Sequence, residues 1–359
     1  MRNRTVRAKA KIGCFFISDG RLFWATVRAK RDFVTVSSQS FGTDNAVQVA
    51  GEHIANVAIL MCTYNGASFL AEQLDSFERQ TYRNWTLYVS DDGSQDNTLD
   101  ILQTFRIKMG ADRVHMSKGP KRGFVANFLS LACRTDIDAD FFAWSDQDDI
   151  WRGAKLERAL AWLEGVPDSS PALYCGRTEL IGESGVSCGY SPRFSLPPHF
   201  SNALVQSIGG GNTMVFNRAA RDLLLEAGDR VDVPCHDWWA YLLVSGAGGE
   251  VHYDPEPMLL YRQHDDNLIG GNSGWSARLK RLPLIFQGRF CRWNDQIINA
   301  LEAMYHRLSP EHQVTLARFK DARTQKLFSR ILGFQRAGIY RQTLFGNLGL
   351  ILVVLLKKI

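Results

Sequence analysis

VAILMCTYNGASFLAEQLDSFERQTYRNWTLYVSDDGSQD, residues 57–96, decides how this chain is read. Val57 to Cys62 is an apolar run of buried-strand length, stopped by Thr63-Tyr64-Asn65-Gly66. Leu70, Leu74 and Phe77 then recur at i, i+4 and i+7, which predicts a helix with one buried face. Trp85 to Val89 is a second strand, and it delivers Asp91 and Asp92 into a loop with Gly93 and Ser94. Two parallel strands joined by a helix put both loops on one edge, where open α/β sheets bind ligands. A hydroxyl, an amide and two carboxylates are therefore expected at a ligand crevice.

The alternation continues outward. A helix is expected over Thr98–Phe105, a short strand over Arg113–Met116, and a helix over Phe124–Cys133 after the loop Ser117–Gly123. Phe141–Trp144 reads as a strand ending in Ser145-Asp146-Gln147-Asp148-Asp149-Ile150-Trp151, and Leu156, Leu160 and Leu163 mark another amphipathic helix. This order predicts a mostly parallel sheet with helices on both faces. Past Pro167 the pattern is mixed. Strands are expected over Ala172–Cys175, Thr178–Ile181, Thr213–Phe216, Val251–Tyr253 and Met258–Tyr261, with a helix over His236–Val244.

Charge divides the chain further. Residues 1–53 carry nine basic and four acidic side chains, residues 54–274 eighteen and twenty-nine, and residues 275–359 fifteen and four. An acidic centre suggests a cation site and a basic tail an anionic surface. Three regions are expected: an extension of unknown role (1–53), a catalytic domain (54–274) and a basic helical region (275–359). The stretch Cys14–Ser18 is too short for a signal-peptide core. Seven cysteines are scattered without a CxxC pair, which fits a reducing, cytoplasmic location. Cys62 and Cys133, in apolar segments, are expected in the core.

Four constellations carry chemistry. Asp146, Asp148 and Asp149 crowd the end of an apolar strand. They read as oxygen ligands for a hard divalent cation, or as a helix N-cap cluster before Trp151. Thr63-Tyr64-Asn65 with Asp91-Asp92-Gly93-Ser94 can bind a base or ribose, or are turn residues chosen for backbone geometry, which explains the glycines better than the paired aspartates; no GxGxxG or GxxxxGK[ST] is present. Asp237 in Cys235-His236-Asp237-Trp238-Trp239 is either a helix-opening acid or a general base shielded by indoles. His264 ends the late strand Tyr261-Arg262-Gln263-His264, ahead of Asp265-Asp266-Asn267 and Gly270-Gly271.

Together CTYNG, SDDGS, SDQDDIW, HDWW and YRQHDDN, in that order, resemble the inverting glycosyltransferases of family 2. These have the GT-A fold, and the likeness is greatest to the rhamnosyltransferase-type group. It spans roughly Val57 to Gly271 plus the basic tail. It implies that Thr63, Tyr64, Asn65, Asp91 and Asp92 hold the donor nucleotide. Asp146 and Asp148 would form the DxD-type motif, completed by His264, around Mg²⁺ or Mn²⁺. Asp237 would be the general base and Arg262 a diphosphate contact. Arg122, Asn127 and Gly209-Gly210-Gly211-Asn212 would shape the pockets. His236 stands where many members carry an acid, and residues 1–53 have no counterpart.

The implied activity is metal-dependent transfer of one sugar, with inversion, from a nucleoside-diphosphate donor (dTDP-L-rhamnose by subgroup) to a lipid-linked or growing surface polysaccharide. A sugar-phosphate nucleotidyltransferase is the alternative enzyme, but its glycine-rich basic opening loop is missing after the first strand. A nucleotide-sugar-binding scaffold is the non-catalytic alternative, and Asp237 argues against it. No nucleic-acid partner is expected. The apolar run Leu348–Leu356, closed by Lys357-Lys358, is too short to span a bilayer. It predicts peripheral attachment to an anionic membrane surface at the inner face of the cell membrane, the alternative being a C-terminal helix docked on the core.

Overall fold

The computed structural model describes residues 13–18, 21–26, 54–264 and 289–359. Chain contacts divide it after Glu52. The first unit holds an antiparallel pair, β1 (Gly13–Ser18) and β2 (Arg21–Thr26), with Gly13 opposite Thr26. The sequence reading does not anticipate this ribbon.

The second unit opens β3 (Val57–Thr63), α1 (Leu70–Glu78), β4 (Trp85–Asp91), α2 (Thr98–Met109), β5 (Val114–Lys118), α3 (Phe124–Ala132) and β6 (Phe141–Ser145). After β7 (Ile150–Trp151) and α4 (Lys155–Leu163) come β8 (Ala172–Gly176), β9 (Glu179–Gly182), β10 (Ser187–Tyr190), α5 (Phe200–Ala203), β11 (Val215–Asn217) and α6 (Arg218–Ala227). Then follow α7 (His236–Gly246), β12 (Glu250–Asp254) and β13 (Leu259–Gln263). Four C-terminal helices close it: α8 (Arg289–Ala303), α9 (Pro310–Thr324), α10 (Leu327–Arg336) and α11 (Leu344–Leu355).

The main sheet runs β12-β8-β11-β6-β3-β4-β5 and is parallel except where β11 lies antiparallel to β8 and β6. All seven residues of β3 are buried, because the strand has neighbours on both sides and helices over both faces. Its alternation supplies both cores. Val57, Ile59 and Met61 pack with α1, α2 and α4, while Ala58, Leu60 and Cys62 pack with α3, α6 and α7. This is the GT-A arrangement that the resemblance implies.

A second sheet, β10-β9-β13-β7, stands apart. The expected strand at Thr178–Ile181 is β9, and it joins this sheet together with the late strand β13. The C-terminal helices are not an appendage: Ile297, Leu301, Phe319, Phe334, Leu350 and Val353 lie in the same core as α3 and α7. The chain contacts show no division near Gly274. Among the described residues no helix is long and apolar enough to cross a membrane. Cys62 is in the core as expected, whereas Cys133 is only half-buried.

Candidate active site

Parallel pairing sets Thr63 opposite Asp91, so the loops after β3 and β4 leave the sheet on one edge. The carboxylate of Asp91 folds its own turn. Its Oδ1 accepts from the N–H groups of Gly93 and Ser94, and its Oδ2 accepts from Thr63 Oγ1 at 2.8 Å and Ser94 Oγ at 2.5 Å. Asp92 reaches the next loop and accepts from the N–H groups of Lys121 and Gly123 at 2.6 and 3.1 Å. Both aspartates thus shape the crest of the crevice through internal bonds, a larger structural role than turn preference alone suggests. Asn65, at φ 48°, donates its N–H to Ser94 Oγ and accepts from Gln95 N–H. Tyr64 is exposed at the rim. Asn127 is buried against Ser90, a brace rather than a pocket wall.

The acidic loop follows β6. Antiparallel pairing of β13 with β7 (Leu259 opposite Trp151) carries the end of β13 back along this loop. His264 Nε2 consequently lies 2.9 Å from Asp148 Oδ2, both partly open to solvent. Burial, and then the charges of Asp148 and Asp237, push the Asp146 carboxyl up to about 8. Asp149 is wholly buried and accepts from Asn212 Nδ2 at 2.6 Å and Arg262 N–H at 3.2 Å. It is a structural carboxylate, held well above its usual range first by burial.

Arg262 corrects an expectation. Its guanidinium is 1% exposed and donates to the Asp148 carbonyl, the Glu183 carbonyl and Glu72 Oε2, with Phe69 stacked at 4.6 Å. A diphosphate contact would have to break that brace. Arg122 likewise pairs with Asp229 on the surface at 3.1 Å.

Asp237 sits in the first turn of α7, 8% exposed. Its Oδ2 accepts from Gly211 N–H at 3.0 Å and its Oδ1 from Trp238 N–H at 2.5 Å, so the carboxylate is oriented by backbone. Gly211 must be glycine: an added Cβ would stand 2.5 Å from His236 Nε2. His236 is stacked on Phe128 with ring centroids 4.0 Å apart and edge-on to Trp144. Burial pulls its imidazole down to about 4, so it is neutral behind Asp237.

The donor set fits a hard divalent cation. Asp148 and His264 converge and Asp146 is crowded by like charge, and Mg²⁺ and Mn²⁺ commonly take one or two carboxylates together with phosphate oxygens and water. Among the described residues no group of three ligands closes on its own. Asp265, Asp266 and Asn267 lie outside the described residues, as do Gly270 and Gly271.

Sequence reasoning missed two contributors, Gln147 and Lys155, and expected Asn212 to shape a pocket rather than to hold Asp149. Gln147 bridges the first loop and the acidic loop, accepting from Tyr64 N–H and donating to its carbonyl. Lys155, 1% exposed, lies 3.4 Å above the Trp151 ring, and burial pulls its ammonium down to about 7 against the charge of Asp149. The helical spacing around Leu156 marks Lys155 only as a first-turn residue.

Residues 58–224 match the family model for glycosyl transferase family 2. A dTDP-rhamnosyl transferase of Shigella flexneri, RfbG, is 28% identical over 254 residues, 67% of this chain and 84% of that protein. An Escherichia coli UDP-Glc:alpha-D-GlcNAc-diphosphoundecaprenol beta-1,3-glucosyltransferase, WfgD, is 29% identical over 167 residues, 45% of this chain and 60% of that one. Among solved structures, a mannosyltransferase of Pyrobaculum calidifontis in complex with GDP-Man and Mn²⁺ aligns over 86% of each chain. Its TM-score is 0.49 at 17% identity, too loose a likeness to argue from.

Proposed function

Since residues 58–224 are a glycosyl transferase family 2 domain and the protein is a glycosyltransferase, we propose that it transfers one sugar with inversion from a nucleoside-diphosphate donor to a saccharide hydroxyl. The placement of Asp237 supports this most. It is a single carboxylate, aimed by two backbone N–H groups and close enough to Asp146 to feel its charge. The acceptor oxygen attacks the anomeric carbon as Asp237 takes its proton, and the bond from that carbon to the donor phosphate breaks on the opposite face. The nucleoside diphosphate leaves with the bonding pair. A divalent cation held by Asp148 and His264, with Asp146 beside them, would neutralise charge growing on that leaving group.

The donor we favour is dTDP-L-rhamnose, supported by the Shigella relative's name. The acceptor is a lipid-linked or growing surface polysaccharide at the inner face of the cell membrane, supported by the diphosphoundecaprenol in the Escherichia relative's name. Purified protein offered dTDP-L-rhamnose, UDP-glucose and GDP-mannose with Mn²⁺ should hydrolyse the first fastest. Its transfer product should carry the anomeric configuration opposite to the donor's. A retained configuration overturns the single displacement, and preference for UDP-glucose overturns the donor.

A further inference from the structure

Among the described residues, exposed large apolar side chains are most concentrated over 327–356. On α10, Phe328 is 86% exposed and Leu332 lies open near it. On α11, Leu344, Leu348, Ile351 and Leu355 are exposed at i, i+4, i+7 and i+11, a single helix face. The other side of α11 is docked: Leu350, Val353 and Val354 are in the core, and the buried Arg330 of α10 donates to the Val354 carbonyl at 2.7 Å. The tail is therefore a fixed plate with an apolar outer side, not a loose arm.

Its charge says what covers that side. From Lys326 to Ile359 there are six basic residues and no acidic one. Lys326, Arg336 and Lys357 are exposed, Lys358 half so. A second copy docked on the plate would bring cations against cations. An anionic lipid surface takes both features at once, the apolar side among the acyl chains and the cations at the headgroups.

We infer that α10 and α11 form a membrane-docking plate for anionic lipid, rigidly tied to the helix that carries the base. The tie is a chain of hydrogen bonds. The Ala337 and Tyr340 carbonyls, between α10 and α11, accept from Ser201 Oγ and Asn202 Nδ2 of α5, each at 3.1 Å. Within α5, Asn202 Oδ1 accepts from Tyr241 OH, and the Ala203 carbonyl accepts from Trp238 Nε1 at 2.6 Å. Trp238 adjoins Asp237. The plate fixes the base at a set attitude to the bilayer, where a lipid-linked acceptor is presented. That purpose rests on the proposed acceptor; the docking itself does not.

Flotation of the full chain with phosphatidylcholine vesicles, with and without phosphatidylglycerol, tests it. The chain should float only with the anionic vesicles. Removing core-docked residues would unfold the tail, so the variants touch exposed positions alone. Phe328→Ser, Leu348→Ser and Ile351→Ser combined should lower partitioning on the order of a hundredfold. Lys357→Gln with Lys358→Gln should lower it roughly tenfold at low salt. Donor hydrolysis and the thermal midpoint should stay at parent values. Parent protein that stays down with anionic vesicles overturns the plate, as does a triple variant that floats as well as the parent. A dimer split by the same three substitutions overturns it too, in favour of a second copy. Loss of sugar transfer by the parent itself would strike the proposed activity and leave the flotation result standing.

Discussion

Tyr64 and Gln147 exchange two hydrogen bonds: Tyr64 N–H donates to Gln147 Oε1 at 2.8 Å, and Gln147 Nε2 donates to the Tyr64 carbonyl at 3.0 Å. This backbone-like pair fastens the loop after β3 to the acidic loop after β6. A Cβ on Gly66 would collide with the same side-chain amide. Gln147→Ala should weaken donor binding roughly tenfold, the scale of two partly exposed hydrogen bonds. Gly66→Ala should do the same, and the double variant should lose no more than either single one. Donor titration reads all three. Additive losses would show that the two residues act separately.

Asp237→Asn should leave donor affinity within a few-fold of the parent while turnover falls on the order of a hundred- to ten-thousandfold. The two Asp237 N–H contacts come from backbone and can be kept in part by the amide oxygen, so the fold should survive. Parallel loss of affinity and rate would make Asp237 a binding residue.

Chelation by EDTA should abolish donor hydrolysis, with Mn²⁺ restoring it, and Asp148→Ala should reproduce the loss. The crowding of Asp146 adds a second readout. With its carboxyl up at about 8, it carries a proton at neutral pH that an incoming cation must expel. Mn²⁺ titrated in two buffers of different ionisation enthalpy should show proton release near pH 7, and affinity should rise with pH until about 8. Binding without proton release would remove Asp146 from the cation's surroundings.

Acid sensitivity should trace in part to His236. Its buried ring has no hydrogen-bond partner at either nitrogen among the described residues, and it is pulled from 6.5 to about 4. Below pH 6.5 the unfolded chain binds a proton at this position that the folded chain refuses until about pH 4. Stability therefore falls as pH drops across that window, by about 3 kcal/mol at most. Melting curves of His236→Gln should show a shallower decline than the parent between those pH values, whatever the starting midpoint. Equal slopes would assign the sensitivity elsewhere.

The first half of the sheet was legible because β3, α1 and β4 carry their burial in local periodicity. The loop edge followed from parallel pairing, and Asp237 and the Asp148–His264 contact lie in segments the motifs marked. The second sheet was harder to read. Its strands β9 and β13 were expected, but β7 has two residues and β10 four that are largely exposed, so apolar patterning there is weak. What single residues do at the site was less legible still. Asp91 and Asp149 look alike in sequence as members of acidic loops. Their structural duties come from Thr63, Asn212 and Arg262, which are 28, 63 and 113 positions away. Arg262 looked like a phosphate ligand because nothing local discloses that Glu72 and Glu183 converge on it.

The packing of α8 to α11 onto the sheet also bears on how the protein is made. Val251 and earlier residues complete every strand pairing of the main sheet except the edge register of β12, yet the face bearing Leu60, Phe142 and Phe216 is finished with Ile297, Leu316 and Phe334. During synthesis that face gains its last cover only after residues 297–359 have been translated. Until then the nascent sheet offers a broad sticky surface to chaperones or to its neighbours on the same messenger. Yield in the cell should accordingly depend on translation speed through the codons for residues 297–359, a sensitivity that the folded enzyme itself would not reveal.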